Sequence, residues 1–180
     1  MKQRRKRCLI LALALVVGLG AYGFLLFSST YSPRQLQKAA GSFLGFSLGS
    51  LPADSQLMKT KQCNQDLFCL FESENTPYLV GFHPAALTGG RYRPFCLSQA
   101  EYGLNDFFLR EGELCTYVLF GKRPEELNCF SVDVINEQGE TLNRFYYAPK
   151  REDTYLLYVL QKSYSQQVSF RPSIELTDRV

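Results

Sequence analysis

The sequence predicts an α+β protein, in which an N-terminal transmembrane helix precedes one outer domain of largely antiparallel β-structure with two short helices. Three observations predict this class. A long apolar segment follows a basic N-terminus, two later segments repeat apolar residues at helical spacing, and most of the remaining chain has the short apolar runs of strands. Strands and helices that do not alternate regularly are typical of α+β architectures.

The first 28 residues have the pattern of a membrane anchor. Residues 1–7 form a basic tip with five cations, and no charged residue lies between Cys8 and Pro33. A helix of about 20 apolar residues spans one hydrocarbon core of roughly 30 Å. Residues 8–28 are therefore predicted to be a transmembrane signal anchor in contact with the lipid bilayer. The positive-inside rule places the tip in the cytoplasm and the remaining domain outside it.

A cleaved signal peptide is the alternative for this segment. Cleavable apolar regions are typically about 7–15 residues long and end in a small-x-small site. This segment is longer, and its end, GFLLFSSTYS, has no such site. The sequence therefore predicts a single-pass protein of the cell inner (plasma) membrane, with residues 29–33 as a short linker and residues 34–180 as the extracytoplasmic domain. The absence of an Asn-x-Ser/Thr sequon favours a bacterial envelope.

The charge of the outer part argues against nucleic acid as a partner. The whole chain has 20 lysines and arginines and 17 acids; removing the five cations of the tip leaves 15 cations against the same 17 acids. Nucleic-acid-binding domains are usually strongly basic. The basic tip is explained by membrane topology and by contact with anionic lipids.

The first predicted helix of the domain lies in PRQLQKAAGSFLGFSL, residues 33–48, where Pro33 suits the first turn and Gly41, Gly45 and Gly49 weaken the end. Its apolar residues recur at helical spacing (Leu36, Ala39, Ala40, Phe43 and Leu44). Its apolar stripe is expected to pack on the domain, with the membrane surface or a partner helix as the alternative. The second helix is predicted over residues 98–112, where Ser98 and Glu101 fit a capping box and Gly112 fits a helix end.

Strand patterns cover most of the remaining chain. Strands are predicted over residues 56–62, 66–73, 76–83, 114–121, 129–135, 141–147, 154–160 and 167–176. A hairpin turn is predicted at residues 136–140, where Gly139 can adopt positive φ. The residues from Pro84 to Cys96 are rich in glycine and proline and are predicted to form a long loop. A helix over 154–163 is an alternative, because its apolar residues fit both periods.

The sequence contains no pattern that predicts catalysis, a metal or a cofactor. It has one histidine, His83, no G-x-S-x-G elbow, no C-x-x-C pair and no phosphate-binding glycine motif. Its paired acids lie in polar, turn-like stretches, as solvated surface residues do. We therefore expect the protein not to be an enzyme.

The best candidate for a binding surface is the predicted loop after His83. Arg91, Tyr92, Arg93 and Phe95 follow one another closely there. Tyrosine and arginine are enriched at interface hot spots, and long loops often carry function. An ordinary exposed loop with solvated arginines is the alternative.

Five cysteines lie in the outer part and are candidates for disulfide bonds: Cys63, Cys69, Cys96, Cys115 and Cys129. An oxidising compartment favours at least one bridge, and the sequence does not determine its connectivity. In KQCNQDLFC, a turn at residues 64–66 would leave Cys63 opposite Asp66 or Leu67 and would bury Cys69. A bridge from Cys63 could then be local or long-range.

These observations predict a membrane-tethered, non-enzymatic accessory domain that binds or positions another envelope protein. The alternative is a sensor or delivery domain for a small ligand or lipid. An apolar cavity lined by tyrosines, with His83 or an arginine converging on it, would favour that alternative.

Overall fold

The computed structural model describes residues 13–20, 30–32, 34–36, 43–45, 48–85, 90–101 and 103–176. Strands contain 64% of these residues, so the predicted α+β class is wrong and the fold is mostly β. Within the described part of the chain, helix 13–20 is short, and no helix has the length and apolar character that crossing a bilayer requires. The remainder of the predicted anchor, residues 8–12 and 21–28, lies outside the described residues.

Neither helix predicted for the domain is present where the structure describes its residues. Residues 34–36 form a single 3-10 turn, in which Gln35 N donates to Ser32 O, and Phe43–Gly45 is a short strand. The predicted helix over 98–112 contains a strand, Leu104–Glu111, and Gly112 belongs to the turn that follows it. Residues 33, 37–42, 46, 47 and 102 lie outside the described part.

Twelve strands are described, and all their pairings are antiparallel. In chain order they are β1 (Phe43–Gly45), β2 (Gly49–Ser50), β3 (Gln56–Cys63), β4 (Asp66–Ser73), β5 (Thr76–Pro84), β6 (Tyr92–Gln99), β7 (Leu104–Glu111), β8 (Leu114–Lys122), β9 (Leu127–Asn136), β10 (Thr141–Tyr147), β11 (Tyr155–Ser163) and β12 (Val168–Leu176). All eight predicted strands are confirmed.

The strands form three main sheets and one two-stranded ladder. The front sheet has the order β3-β4-β5-β6, the middle sheet β11-β8-β7 and the back sheet β10-β9-β12, while β1 pairs with β2. In the predicted long loop, residues 92–96 are instead the start of β6, residues 85, 90 and 91 lie outside the strands, and residues 86–89 lie outside the described part. Pro94 argued against a strand there, but β6 is an edge strand of the front sheet, where proline is tolerated.

The three sheets stack in layers with the middle sheet between the other two. One buried cluster joins Phe68 and Leu79 of the front sheet to Val118 and Val159 of the middle sheet. The opposite face of the middle sheet packs on the back sheet through a second cluster (Tyr117, Leu119, Phe130, Val132, Leu156 and Leu160). The middle sheet is therefore buried on both faces, which explains why β8 is apolar along almost its whole length.

The outer face of the front sheet is covered by the segment that precedes the strands. Tyr31, Leu36 and Leu51 pack there against Cys69 and Phe82, and all five are buried. Tyr31 also forms an antiparallel bridge with Tyr92, in which each backbone N–H donates to the other residue's carbonyl at 2.8 Å. Tyr31, Leu36 and Leu51 are thus part of the core of the domain.

Two tight hairpins determine the register of the front sheet. Asn64 and Gln65 form the turn between β3 and β4, which leaves Cys63 opposite Asp66 as predicted. The next turn, Glu74–Asn75, has φ angles of 48° and 66°, as in a type I′ hairpin. Cys69 is buried, which confirms the prediction for that residue.

The back sheet contains a β-bulge that changes its register. Thr141 pairs with Ile135, whereas Asn143 pairs with Val134, so β10 has one extra residue at this point. After the bulge, Phe145 lies opposite Val132 and Arg144 lies opposite Asp133. The bulge therefore turns Phe145 towards the middle sheet and Arg144 towards the outside.

Candidate protein-binding site

The structure divides the five predicted binding residues into two groups. His83 and Phe95 stack on each other with ring centroids 3.9 Å apart. Arg91 and Tyr92 contact the segment before the strands, and Arg93 is exposed opposite His83 across β5 and β6. The structure therefore brings His83, Arg93 and Phe95 together and places Arg91 and Tyr92 against Thr30 and Tyr31.

His83 belongs to a polar cluster between the front and middle sheets, which we call the His83 cluster (Asp66, His83, Phe95, Glu111 and Gln161). His83 Nδ1 donates to Asp66 Oδ1 at 2.7 Å, and His83 Nε2 lies 3.5 Å from Glu111 Oε1. Asp66 is 9% exposed, and its second oxygen accepts a hydrogen bond from Gln161 at 2.8 Å. Since Glu111 and Gln161 belong to the middle sheet, the cluster links two layers of the fold.

The geometry of the His83 cluster suits a structural link. Its two carboxylates lie at different nitrogens of one imidazole ring, and ring nitrogens point in divergent directions, so the three groups do not converge on one point. Among the described residues, no three His, Cys, Asp or Glu side chains are placed to hold a metal ion.

Arg91 and Tyr92 hold the N-terminal segment against the front sheet. Arg91 Nε donates to Thr30 Oγ1 at 2.7 Å, and Arg91 Nη2 donates to the Thr30 carbonyl. Thr30 is buried, and Tyr92 packs in the apolar cluster beneath the segment. These two side chains stabilise the fold, and their contacts explain why they are not free for a partner.

The five cysteines of the domain all have free thiols, so the predicted disulfide is not formed in this structure. The five lie on five different strands: Cys63, Cys69 and Cys96 in the front sheet, Cys115 in the middle sheet and Cys129 in the back sheet. Cys69 lies in the cluster on the outer face of the front sheet, whereas Cys115 lies in a cluster with Val134 of the back sheet. Burial raises the pKa of the Cys69 and Cys96 thiols from 9.0 to about 12, which makes both unreactive at neutral pH.

Two surface clefts of the described residues give no support to a small-ligand pocket. A cleft of about 380 Å³ lies between the loops before β9 and β11, and its lining is mostly charged. A second cleft of about 250 Å³ lies beside the β9–β10 turn. Neither cleft is lined by His83 or by a tyrosine, and neither is the apolar cavity expected of a ligand sensor.

A different surface combines exposed arginine and tyrosine side chains, the combination that the sequence predicts for binding at residues 91–95. Arg144, Asp133 and Arg171 lie side by side across the three strands of the back sheet, on the face turned away from the middle sheet. Arg144 binds Asp133 with two hydrogen bonds of 2.5 and 2.7 Å. We call Arg144, Tyr146, Asp133 and Arg171 the β10 patch.

Tyr146 is the most exposed part of the β10 patch. It is 70% exposed, and its neighbours in register are the small side chains Ser131 and, on the far strand, Ser173. The hydrogen bond from Arg144 holds the pKa of Asp133 below its usual range, so this carboxylate is charged near neutral pH. Hydrogen bonds with Asp133 and, to a smaller extent, with Tyr146 raise the pKa of Arg144. Two guanidinium groups thus flank one carboxylate, and the patch has a net positive charge.

Sequence reasoning missed the β10 patch because Arg144 and Tyr146 looked like ordinary residues of a strand. The two arginines and Asp133 are separated by many residues along the chain, and only the strand pairing brings them together. Sequence alternation within TLNRFYY was the one available signal, since it places Arg144 and Tyr146 on the same face.

Comparisons with known proteins identify no relative: no family model, curated protein or solved structure matches the chain. Evidence on function therefore comes from the contacts, charges and exposure of this chain itself.

Proposed function

We propose that this protein is a non-enzymatic accessory domain that binds another protein through the β10 patch. The observation that carries the proposal is the exposure of Tyr146 beside Arg144, which Asp133 holds in place, with Arg171 opposite Asp133 on the next strand. Tyrosine and arginine contribute most at the centres of protein interfaces, where they combine apolar area with directed hydrogen bonds. A side chain held in position also loses less conformational entropy on binding.

The charge of the patch indicates the type of partner surface. Arg144 and Arg171 bring two positive charges and Asp133 one negative charge, so an acidic or carboxylate-bearing surface is complementary. Arg144 already binds one carboxylate through Nε and Nη2, and about half of its side chain is still exposed. An incoming acid can therefore reach it without breaking the contact to Asp133.

The location of the partner stays a prediction from the N-terminal sequence. Residues 1–28 predict an envelope protein whose β domain lies outside the cytoplasm, and contact with lipid through residues 8–28 is part of the same prediction. The binding surface proposed here does not depend on that location, because it involves only residues of the back sheet.

Site-specific photo-crosslinking tests the proposal in cells that make the full-length protein. A benzophenone amino acid replaces Tyr146, and in the control it replaces Gln62, which is exposed on β3 of the front sheet. We expect a discrete protein adduct from position 146 and none of the same mass from position 62. An absence of adducts, or the same adducts from both positions, would contradict the proposal.

The identified partner then allows a direct measurement with purified proteins. We expect Tyr146→Ala and Arg144→Ala each to weaken binding at least about tenfold, as for hot-spot residues. The matched control is Lys61→Ala, which removes an exposed charge from β3 and should leave the affinity unchanged.

A further inference from the structure

We infer that the partner supplies an extended strand, which pairs with the edge of β10 over residues 143–147 and places an acidic side chain opposite Arg144. The inference rests on the proposed function and specifies how the partner is recognised. Adding a strand to an exposed sheet edge is a common way to bind extended peptides, since backbone hydrogen bonds give affinity and alternate side chains give specificity.

The second half of β10 is an unprotected edge among the described residues. In the back sheet β10 has β9 as its neighbour on one side, and its other side faces outward. The bulge at residues 141–143 disturbs the first half, whereas pairing from Asn143 to Tyr147 is regular. This part contains no proline, so every second residue presents its backbone N–H and C=O to an incoming strand.

Two other edge strands contain a proline, which the second half of β10 lacks. Pro172 lies in the middle of β12 and removes a donor. β6 contains Pro94, and the bridge to Tyr31 already occupies its first residue, Tyr92.

The charges across the back sheet specify the side chain opposite Arg144. The row Arg144–Asp133–Arg171 alternates in sign from strand to strand. A strand added beside β10 extends this row by one position, and a carboxylate there continues the alternation. Oppositely charged cross-strand pairs are favourable by roughly 0.2–1 kcal/mol, and like-charged pairs are unfavourable.

The neighbouring row specifies a second side chain. Tyr146 has only Ser131 and Ser173 beside it in its row, so the exposed side of its ring is free to pack against a partner residue. In an antiparallel pairing, the residue opposite Tyr146 lies two positions before the residue opposite Arg144. The expected partner motif is therefore an aromatic or β-branched residue, any residue, and then aspartate or glutamate.

A second copy of this chain fits the edge less well than an acidic strand. Pairing β10 with itself would bring a second positively charged patch onto the same sheet face, and the arginines would then outnumber the acids by two. An acidic strand would neutralise the excess charge. We therefore assign the edge to a partner protein.

Synthetic peptides test the inference with the full-length protein. The probe is an eight-residue peptide of threonine and valine, with tyrosine third and aspartate fifth; in the charge control, lysine replaces the aspartate. Two further versions are N-methylated at alternate amides, one at odd and one at even positions. Affinity, backbone amide exchange and sedimentation are measured for each.

We expect the aspartate peptide to protect amides between Asn143 and Tyr147 from exchange and to bind at least about tenfold more tightly than the lysine peptide. One N-methylated version should lose binding while the other retains it, because only one set of amides faces β10. Equal binding of both charge forms, equal loss for both N-methylated versions, or protection outside β10 would overturn the inference. A protein dimer with protected β10 amides in the absence of peptide would also overturn it.

The two proposals fail in different ways. An adduct from position 146 without protection of β10 by the aspartate peptide leaves the binding function standing and overturns strand pairing. No specific adduct from position 146 overturns the binding function, and the inference fails with it.

Discussion

The start of β6 and the second half of β10 contain the same kinds of side chain but use them in different ways. Arg91, just before β6, and Tyr92, its first residue, bind Thr30 and Tyr31 of the segment that covers the front sheet. In β10, Arg144 binds one carboxylate across the strand and stays half exposed, and Tyr146 is 70% exposed. The first pair stabilises the fold, while the second is available to a partner.

The comparison shows what decides whether an arginine and a tyrosine form a binding surface. Both regions contain an arginine and a tyrosine within three residues, so composition does not separate them. The neighbours across the strands do: Tyr92 meets Tyr31, whereas Tyr146 meets Ser131.

The packing of Phe95 should make the β6 region intolerant of change. A Cβ atom at Gly81 would lie 2.5 Å from Phe95 Cζ and 2.7 Å from Cys96 Sγ, and the Phe95 ring is held between His83 and Phe68. We expect Gly81→Val to lower the free energy of unfolding by about 3 kcal/mol through overpacking. Urea denaturation measures this value.

The control for Gly81→Val is Ser169→Val on exposed β12, which should change the free energy of unfolding by less than about 0.5 kcal/mol. A tolerated Gly81→Val would show that Phe95 can move, and the β6 region would then be less rigid than described.

The His83 cluster, which links the front and middle sheets, should also contribute strongly to the stability of the fold. Asp66→Ala removes the partner of His83 and of Gln161 at a buried position. We expect a loss of about 2 kcal/mol in the free energy of unfolding, because hydrogen bonds to a charged group are among the stronger ones. Asp66→Asn keeps an acceptor oxygen and should recover part of the loss. An unchanged stability for Asp66→Ala would contradict the structural role of the His83 cluster.

Removing either arginine separates stability from binding most directly. Arg91→Ala removes two hydrogen bonds to Thr30 and should lower the free energy of unfolding by about 1.5 kcal/mol. Arg144→Ala removes an ion pair in which the arginine is half exposed and covers the buried Asp133. Because the shortened side chain leaves the Asp133 carboxylate open to water, the free energy of unfolding should fall by less than about 1 kcal/mol. For partner affinity the order of the two variants should reverse, because Arg144→Ala removes a residue of the proposed binding surface and Arg91→Ala does not. If the same variant caused the larger loss in both stability and affinity, the proposed difference between the two regions would be contradicted.

The smallest effect is expected from the buried thiol of β6. The folded pKa of Cys96 is about 12, above the ordinary value of 9.0, because burial favours the neutral thiol. Stability from this group is fully present below pH 9 and is lost as the pH rises from 9 towards 12. The loss should be about 0.8 kcal/mol at pH 9.5. Urea midpoints at pH 7.5 and 9.5 measure it, and Cys96→Ala should reduce the difference between them.

Much of the strand content could be predicted from the sequence, since each strand has a recognisable pattern between turns. β4 and β10 have the bounds that were predicted, Asp66–Ser73 and Thr141–Tyr147. The turn at Glu74–Asn75 also implies that Asp66 lies opposite His83, so the centre of the His83 cluster was readable in principle.

The helix prediction over residues 98–112 failed for a physical reason. Leu104, Phe107 and Phe108 have helical spacing, but Phe107 packs towards the front sheet and Phe108 towards Phe170 of the back sheet. A strand in a middle layer has apolar residues on both faces and therefore lacks the alternation of a half-exposed strand. Only knowledge of the layering would have corrected the prediction.

The candidate site could not be predicted because it depends on the bulge. Without the extra residue in β10, the register of Thr141 with Ile135 would continue and place Arg144 opposite Val132, on the core side. No feature of TLNRFYY indicates where the bulge lies. The pairing of Arg144 with Asp133 is therefore a property of the folded sheet and not of the local sequence.

Tyr31, Leu36 and Leu51 pack on the outer face of the front sheet, which is the side of the domain opposite to the β10 patch. Packed sheets lie about 10 Å apart, so the front and back sheets are separated by roughly 20 Å with the middle sheet between them. Tyr31 and Leu36 lie on the front side, whereas the β10 patch faces away from the middle sheet on the back side. A body docked on the front side and a protein bound to the patch would therefore sit on opposite sides without competing for space, as the two ends of a rigid spacer do.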